Sequence, residues 1–197
     1  MADLAGDVPG VEVAGFVENL EPERCAETLE GLPIHWVDYI APLAATHAAV
    51  CALVTTKRRR FTKQVEELGV RFTTVVHPTA HMSSRSSVGA GSIVSAGVIV
   101  AAHTRIGRHV ILNRGVLVGH HTEIGDHVSL LPGANVAGNC TVGAGAFVGM
   151  GALVLDNVDV GRDAVVAAGS VVTRDVPAGA QVMGIPARVV DGASGPR

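Results

Sequence analysis

Histidine is the residue type best suited to chemistry in this 197-residue chain, and five of its nine histidines lie within 25 residues of one another: His103, His109, His120, His121 and His127. A neutral imidazole can ligate a metal ion, or it can accept a proton as a general base near neutral pH. His103 and His121 are 18 residues apart, and so are His109 and His127. Which chemistry the cluster could perform depends on the elements that carry it.

The cluster lies within a six-residue repeat that runs from Val88 to Pro177. The first residue of each hexad is Val, Ile or Leu, and the fifth is always small or β-branched. Two inward side chains per six residues predict short strands that coil into a parallel β-helix, because one side of every strand must be buried. An α-helix would need a period of 3.6 residues. Three hexads per turn predict a triangular prism of 18 residues per coil, with a poorer additional coil starting near Val76.

The fourth residue of each hexad predicts how the strands are joined, because only Gly, Asn, Asp and His occur there. The residues are Gly91, Gly97, His103, His109, Gly115, His121, His127, Gly133, Asn139, Gly145, Gly151, Asn157, Asp163, Gly169 and Asp175. These residue types tolerate positive φ, so each hexad should end in a left-handed corner. This conformation explains every histidine of the cluster except His120. His120 is the only histidine in the third position, which is mostly an outward corner. Since Arg and Asp share that position, an ordinary surface role for His120 stays open.

Composition limits the classes of function. The net charge of −3 gives no reason to expect a nucleic-acid partner, and the basic run at residues 57–60 is interpreted as a solvated helix start. The three scattered cysteines, Cys25, Cys51 and Cys140, predict a reducing, cytoplasmic location. Cys140 occupies a fifth position and is expected to be a small packing residue. No segment resembles a signal peptide or a membrane span, so no membrane partner is expected.

Residues 1–75 do not follow the hexad. We predict a strand at Val11–Glu18, a buried strand at Ala48–Thr56 and a helix at Arg59–Leu68. Strands that alternate with helices predict a small α/β domain with a parallel sheet over residues 1–75. The β-helix domain and a C-terminal segment should then occupy residues 76–190. The polar end, residues 191–197, is expected to be disordered.

Three stretches, TTVVHPTAHMS, VGHHTEIGDHVSLLPGANVAGN and GIPARVV, are similar to the hexapeptide-repeat sugar acetyltransferases of the NeuD/PglD type. The resemblance covers nearly the whole chain and is most specific over residues 76–190. It implies a mostly β fold, in which a left-handed parallel β-helix follows a small Rossmann-like α/β domain. It also implies acetyl transfer from acetyl-CoA to an amine or hydroxyl of a sugar, often a nucleotide-linked one. The family's first strand and Gly-rich phosphate loop have no counterpart before Val11, so the α/β domain is expected to be incomplete at its N-terminus.

The resemblance further implies roles for individual residues. The family's general base is a histidine four residues before the isoleucine of an I-G-D motif, and His120 matches it. The family usually has an acidic residue directly after the base, whereas His121 stands here and is the second catalytic candidate. Glu123, Asp126, or a carboxylate of the substrate or another subunit would have to replace the acidic partner, or activity would be weak. The other positions carried over are Ser129, Met150 and Ala168 for acetyl-CoA, and Glu18, Asn19 and Thr55 for a sugar nucleotide.

Two other functions stay open. The missing phosphate loop and the missing carboxylate beside His120 would also suit a binding or scaffold protein that kept the fold and lost the chemistry. A metal-dependent enzyme like the β-helix carbonic anhydrases is the other alternative. Those enzymes use three histidines at a subunit interface, two of them five residues apart. No such pair exists here, so no metal is expected; the residues five after His103, His109, His120 and His121 are Arg108, Arg114, Gly125 and Asp126.

The resemblance also implies how the subunits associate. In this family three prisms associate in parallel, and the base of one subunit faces the CoA of the next. A closed cyclic trimer also suits a prism with three flat faces. We therefore expect a homotrimer with active sites between subunits, and a small sugar or nucleotide-sugar acceptor as partner.

Overall fold

The computed structural model describes residues 2–55 and 58–190. The elements before the repeat are short: α1 (Ala2–Gly6), β1 (Phe16–Glu18), a 3-10 helix (Pro22–Ala26), β2 (Thr28–Leu29), β3 (Leu32–Trp36), two further 3-10 helices (Val37–Tyr39 and Ala41–Ala45), β4 (Ala48–Ala49), α2 (Arg59–Glu67) and β5 (Arg71–Phe72). Strand β3 pairs in parallel with β1 and antiparallel with β2, whereas β4 pairs in parallel with β5. The segment therefore contains two small sheets.

This N-terminal segment departs from the single parallel sheet that the sequence predicts. The strand expected at Val11–Glu18 is reduced to β1, and the buried strand expected at Ala48–Thr56 is reduced to β4. Leu53 and Val54 are exposed, and residues 56–57 lie outside the described part of the chain. The expected helix is confirmed as α2. A short apolar run is not enough to establish a strand. The small buried core of this segment is formed by residues outside both runs, namely Val37, Ile40, Val65 and Val70.

The repeat forms the strands of a prism, in chain order: β6 (Val75–Val76), β7 (His81–Met82), β8 (Ser87–Val88), β9 (Ile93–Val94), β10 (Ile99–Val100), β11 (Arg105–Ile106), β12 (Ile111–Leu112), β13 (Leu117–Val118), β14 (Glu123–Ile124), β15 (Ser129–Leu130), β16 (Asn135–Val136), β17 (Thr141–Val142), β18 (Phe147–Val148), β19 (Leu153–Val154), β20 (Asp159–Val160), β21 (Val165–Val166), β22 (Val171–Val172), β23 (Gln181–Gly184) and β24 (Ala187–Val189). Successive coils pair in parallel with a shift of 18 residues, as Leu112 does with Leu130. After the last coil, strands β23 and β24 form an antiparallel hairpin.

The strands form three sheets, which are the faces of the prism. Face 1 contains β7, β10, β13, β16, β19 and β22; face 2 contains β8, β11, β14, β17 and β20; face 3 contains the remaining strands from β6 to β24. Edge A joins faces 1 and 2 and carries His120. Edge B joins faces 2 and 3 and carries His109 and His127. Edge C joins faces 3 and 1 and carries Met150 and Ala168. The fold is the parallel β-helix expected from the hexad, including the additional coil near Val76.

The predicted left-handed corners are present at fourteen of the fifteen fourth positions, with φ between 54° and 76°. Asp175 is the exception, and the prediction is wrong there. The last coil is two residues shorter than the others, because Val160 bridges to Val176 and Val165 pairs with Gln181. The chain thus passes Asp175 without the left-handed turn that a full hexad requires.

The interior of the prism is filled by the first and fifth residues of the hexads. Ser92, Thr104, Thr122 and Cys140, which are polar fifth residues, donate hydrogen bonds to carbonyls of the next coil. Thr104 donates to the Gly119 carbonyl at 2.7 Å, and the Cys140 thiol donates to the Leu155 carbonyl at 3.1 Å. Cys140 is therefore the small packing residue that the repeat predicts. Among the described residues, no helix is long and apolar enough to cross a membrane.

Helix α2 packs on edge B and face 3, and Arg58 at its start is the main polar anchor. Only 1% of Arg58 is exposed. Its guanidinium donates to the carbonyls of His109 at 2.8 Å and Val128 at 2.7 Å, and to the Ser129 hydroxyl. The interpretation of the basic run as solvated is therefore wrong for Arg58, although Arg59 is exposed.

Two stacked histidines also lie at this contact, and both should remain neutral. The rings of His109 and His127 are 4.8 Å apart, and His127 Nε2 lies 3.1 Å from the Thr62 hydroxyl. Burial lowers the pKa of His127 to about 4, helped by His109 and Arg58. Burial also lowers the pKa of His109 and outweighs the opposing effect of Glu66.

The docking of α2 on the prism should therefore weaken in acid. Above about pH 6.5 the histidines are neutral whether docked or unfolded, so stability does not depend on them. Between about pH 6.5 and 4 the unfolded histidines take up protons that the docked ones refuse, so the free energy of unfolding should fall. Denaturant unfolding at pH 7.5 and pH 5 measures the loss. The control His127→Asn keeps a residue that tolerates positive φ and should show a smaller loss; an equal loss in both proteins would contradict the prediction.

Candidate active site

His120 and His121 form the corner of edge A between β13 and β14. Both side chains are exposed, and His121 has a φ of 55°. The backbone of the corner is held from both neighbouring coils. The Asn139 N–H donates to the His120 carbonyl at 2.8 Å, and the His121 N–H donates to the Ala102 carbonyl at 3.1 Å. The main chain therefore presents the two imidazoles from a rigid support.

The two rings are in direct contact through their Nδ1 atoms, which are 3.1 Å apart. A hydrogen bond at this distance requires that one Nδ1 carries a hydrogen and the other does not. When His120 is the donor, its Nε2 keeps a free lone pair, as a general base requires. His121 in turn lies on His103, with ring centroids 4.7 Å apart. The 18-residue spacing predicts that His103 and His121 stack at one corner, and this is confirmed. The structure adds that the row of rings ends at His120.

Neither carboxylate considered for the acidic role contacts His120. Glu123 on face 2 forms an ion pair with Arg105. Asp126 lies on edge B, where it accepts a hydrogen bond from the Arg108 N–H at 2.8 Å. Within the described residues, the hydrogen-bonding side chain next to His120 is that of His121. The expectation that Glu123 or Asp126 takes the acidic role is therefore wrong for the isolated chain.

Met150 and Ala168 lie on edge C, as neighbours in successive coils. The Gly169 N–H donates to the Met150 carbonyl at 2.8 Å, and the Met150 side chain is exposed. These two residues, 18 apart in the sequence, therefore form a row along edge C. Face 1 separates this row from His120, so one chain alone does not bring the base and these residues together.

Ser129 does not share this exposure. It lies on face 3 under α2, with only 2% of its surface accessible, and its hydroxyl accepts a hydrogen bond from Arg58. The structure does not support its expected contact with acetyl-CoA, because its hydroxyl is already covered and engaged. The repeat predicts only that the Ser129 side chain points outward. It does not show that Arg58 and α2, which lie outside the repeat, cover this side chain.

Glu18, Asn19 and Thr55 lie beside α2. Glu18 accepts hydrogen bonds from the N–H groups of Asn19 and Leu20, both at 2.8 Å, and pairs with Arg24 at 2.9 Å. Burial opposes ionisation of Glu18, but the N–H groups of Leu20 and Asn19 together with Arg24 outweigh it and lower its pKa. Asn19 donates to Gln64 of α2 at 3.3 Å, and the Thr55 carbonyl accepts from Arg58 at 3.5 Å. A role for these residues in sugar-nucleotide binding stays a prediction.

The histidines do not converge on one point. His103, His120 and His121 lie on edge A, and His109 and His127 lie on edge B. Over residues 2–55 and 58–190, no group of three or more His, Cys, Asp or Glu side chains is arranged to hold a metal ion.

Comparison with known proteins agrees with this geometry. The family model described as bacterial transferase hexapeptide (six repeats) matches residues 121–155 and 139–174. No curated protein sequence matches the chain. Among solved structures, the chain is similar to WeeI from Acinetobacter baumannii AYE, with 28% identity, coverage of 89% of this chain and 85% of that chain, and a TM-score of 0.83.

Two further similar structures are those of named acetyltransferases. The acetyltransferase domain of PglB from Neisseria gonorrhoeae FA1090 has a TM-score of 0.87 and 26% identity, over 96% of this chain and 92% of that chain. A variant of perosamine N-acetyltransferase from Caulobacter crescentus, in complex with CoA and GDP-perosamine, has a TM-score of 0.79 and 30% identity, over 83% of this chain and 80% of that chain. This chain therefore belongs to the hexapeptide-repeat sugar acetyltransferases of the NeuD/PglD type, a family of acyltransferases with a left-handed parallel β-helix.

Proposed function

We propose that this protein transfers an acetyl group from acetyl-CoA to an amino or hydroxyl group of a sugar or nucleotide-linked sugar, with His120 as general base. The proposal rests on the geometry of His120 on edge A. Its ring is exposed, and its Nδ1 atom contacts Nδ1 of His121. Its Nε2 atom is therefore the nitrogen that can accept a proton from a substrate. An amine on a nucleotide-linked sugar is the favoured acceptor, because the related perosamine N-acetyltransferase was solved with GDP-perosamine.

The reaction needs one proton transfer that His120 can perform. The acceptor nitrogen or oxygen attacks the carbonyl carbon of the thioester, and His120 Nε2 removes the proton that the attacking atom must lose. The tetrahedral intermediate then expels the CoA thiolate, which takes up the proton and leaves as the thiol. The products are the acetylated sugar and CoA.

His121 supports this step in place of a carboxylate. By accepting a hydrogen bond from His120 Nδ1, it selects the tautomer in which His120 Nε2 carries the free lone pair. After proton transfer, His120 carries hydrogens on both nitrogens and His121 remains an acceptor. His121 therefore orients the base without adding a negative charge to the site.

We also propose a homotrimer, because His120 and the residues expected to contact acetyl-CoA lie on different edges of one prism. Face 1 bears three exposed apolar residues, Ile99, Leu117 and Leu153, which are 47%, 38% and 40% exposed and lie in one column that Asn135 interrupts. Exposed apolar patches commonly mark protein interfaces. Because face 1 lies between edges A and C, turning it towards a threefold axis would place edge A of one prism beside edge C of the next. His120 of one subunit would then meet Met150 and Ala168 of its neighbour.

Mixing two inactive variants tests this arrangement. His120→Ala removes the base, and Ala168→Arg blocks edge C with a side chain that the same position already holds at Arg162 and Arg174. Each homotrimer should be inactive. Randomly mixed trimers should recover about one quarter of the wild-type rate, because about one site in four combines two intact edges. Light scattering checks that both variants are trimers, and mixtures that stay inactive would contradict a shared site.

The acceptor class is tested by measuring CoA release from acetyl-CoA with the full chain. The panel contains GDP- and UDP-linked amino sugars, the same amino sugars without nucleotide, and hydroxyl-only sugars. Turnover with an amino sugar supports the proposal. Binding without turnover across the panel would favour a scaffold protein instead.

A cytosolic location is also proposed, and the free cysteines Cys25, Cys51 and Cys140 support it.

A further inference from the structure

The third position of the hexad contains one histidine and one glycine, and the fold places them in contact. His120 and Gly138 are 18 residues apart and occupy successive coils of edge A. The hydrogen bond from the Asn139 N–H to the His120 carbonyl, 2.8 Å long, ties the two corners together. No other pair of coils combines these residue types at this position.

The backbone does not account for the glycine. Gly138 is not among the residues with positive φ, so an L-residue fits its conformation. The equivalent position holds alanine in five other hexads: Ala90, Ala96, Ala102, Ala144 and Ala168. Alanine is therefore compatible with this corner of the repeat, and the reason for glycine lies outside the main chain.

The missing side chain of Gly138 leaves the space that the His120 ring occupies. A Cβ atom at Gly138 would lie 2.8 Å from Cε1, 2.9 Å from Nε2 and 3.1 Å from Nδ1 of His120. All three atoms belong to the imidazole. At Gly119, by contrast, the nearest atom to an added Cβ would be backbone of the next coil, 2.4 Å away. Gly138 is thus distinguished by its contact with the candidate base.

We infer that Gly138 is a positioning residue that seats the His120 imidazole for acetyl transfer. The inference rests on the proposed role of His120 as general base. The ring is bounded by Gly138 in the next coil and by the Nδ1 atom of His121 on the same corner. A methyl group at Gly138 would force the ring to retreat by about 0.6 Å or more to reach an ordinary contact of 3.4 Å.

Gly138→Ala tests the inference. The displaced atoms are the end of an exposed, flexible side chain, so the free energy of unfolding should be unchanged. Misplacement of a reacting group by a fraction of an ångström to 1 Å is expected to lower kcat by about 10- to 100-fold. The KM for acetyl-CoA should stay constant. Ala90→Ser, which enlarges the equivalent position on edge B, is the matched control and should keep the wild-type kcat.

Two measurements separate this inference from its alternatives. In the His120→Ala background, Gly138→Ala should cause no further loss; an equal further loss would show that the new methyl obstructs substrate, and would overturn the inference. The NMR signals of the His120 ring should shift in Gly138→Ala, and an unchanged ring would overturn it as well. If His120→Ala itself keeps full activity, the assignment of the base fails; if it loses activity while Gly138→Ala keeps full kcat, only the role of Gly138 fails.

Discussion

Replacing His120 with alanine should lower acetyl transfer by about 10²- to 10⁴-fold, which is the usual contribution of a general base. The reason is that the attacking amine or hydroxyl must lose a proton, and no carboxylate among the described residues contacts His120 to substitute for it. The measurement is the initial rate of CoA release at saturating acetyl-CoA. A variant that keeps a rate within a few-fold of the wild type would refute the role of His120.

The expected loss of activity in His120→Ala should not be caused by unfolding of the variant. The His120 side chain is exposed and contributes nothing to the apolar interior. Exposed substitutions of this kind usually change stability by no more than about 0.5 kcal/mol. Alanine also occupies the third position of other hexads, for example Ala102 on edge A in the coil before and Ala144 on edge B. Thermal unfolding of His120→Ala should therefore superimpose on that of the wild type.

His121→Asn is the matched variant for the neighbouring ring. Asparagine already occupies the same corner with positive φ at Asn139 and Asn157, so the backbone should be undisturbed. The variant loses the Nδ1 partner of His120 but keeps the base. We expect a decrease in kcat on the order of 10-fold, smaller than that of His120→Ala. Equal losses in the two variants would indicate that His121 does more than orient the ring.

Replacing Arg58 with methionine should destabilise the contact between α2 and the prism by a few kcal/mol, because each buried acceptor left without its donor costs about 1–3 kcal/mol. The guanidinium serves two backbone carbonyls and the Ser129 hydroxyl within a site that excludes water. Although burial lowers the pKa of Arg58 to about 10, the group stays protonated at neutral pH. Methionine would fill much of the space but leave those acceptors without their donor, which is the costly arrangement.

The loss should be confined to the N-terminal segment. The coils of the prism bury their own core, so they should remain folded while residues before Val75 become accessible to protease. Denaturant unfolding measures the loss of stability, and limited proteolysis shows whether the N-terminal segment is cleaved while the prism stays intact. Arg59→Met is the control, because the exposed pair of Arg59 and Asp163, 3.9 Å apart, contributes about 1 kcal/mol or less. Similar destabilisation by both variants would mean that Arg58 is not the anchor.

Local pattern predicted the prism well because its requirements are local. Each hexad needs an aliphatic residue facing inward and a fourth residue that accepts positive φ, and both can be read from six residues. The failure at Asp175 shows the limit of this reasoning. Aspartate satisfies the rule for a corner, but the register of the last coil depends on the pairing of Val160 with Val176. The N-terminal segment has no such repeat, and its strands are correspondingly shorter than predicted.

The β-helix, the corner histidines and the singular position of His120 could all be recognised from the sequence alone, because a fixed period makes every departure visible. Which side chains contact one another became clear only from the packing of the folded chain. The contact of His120 with Gly138 joins different coils, and the burial of Ser129 under Arg58 joins the repeat to a segment outside it. Such contacts depend on packing between residues 18 to 71 positions apart. A pattern of side chains along the chain can place residues on an edge, but it does not record what covers them or which ring lies against which backbone.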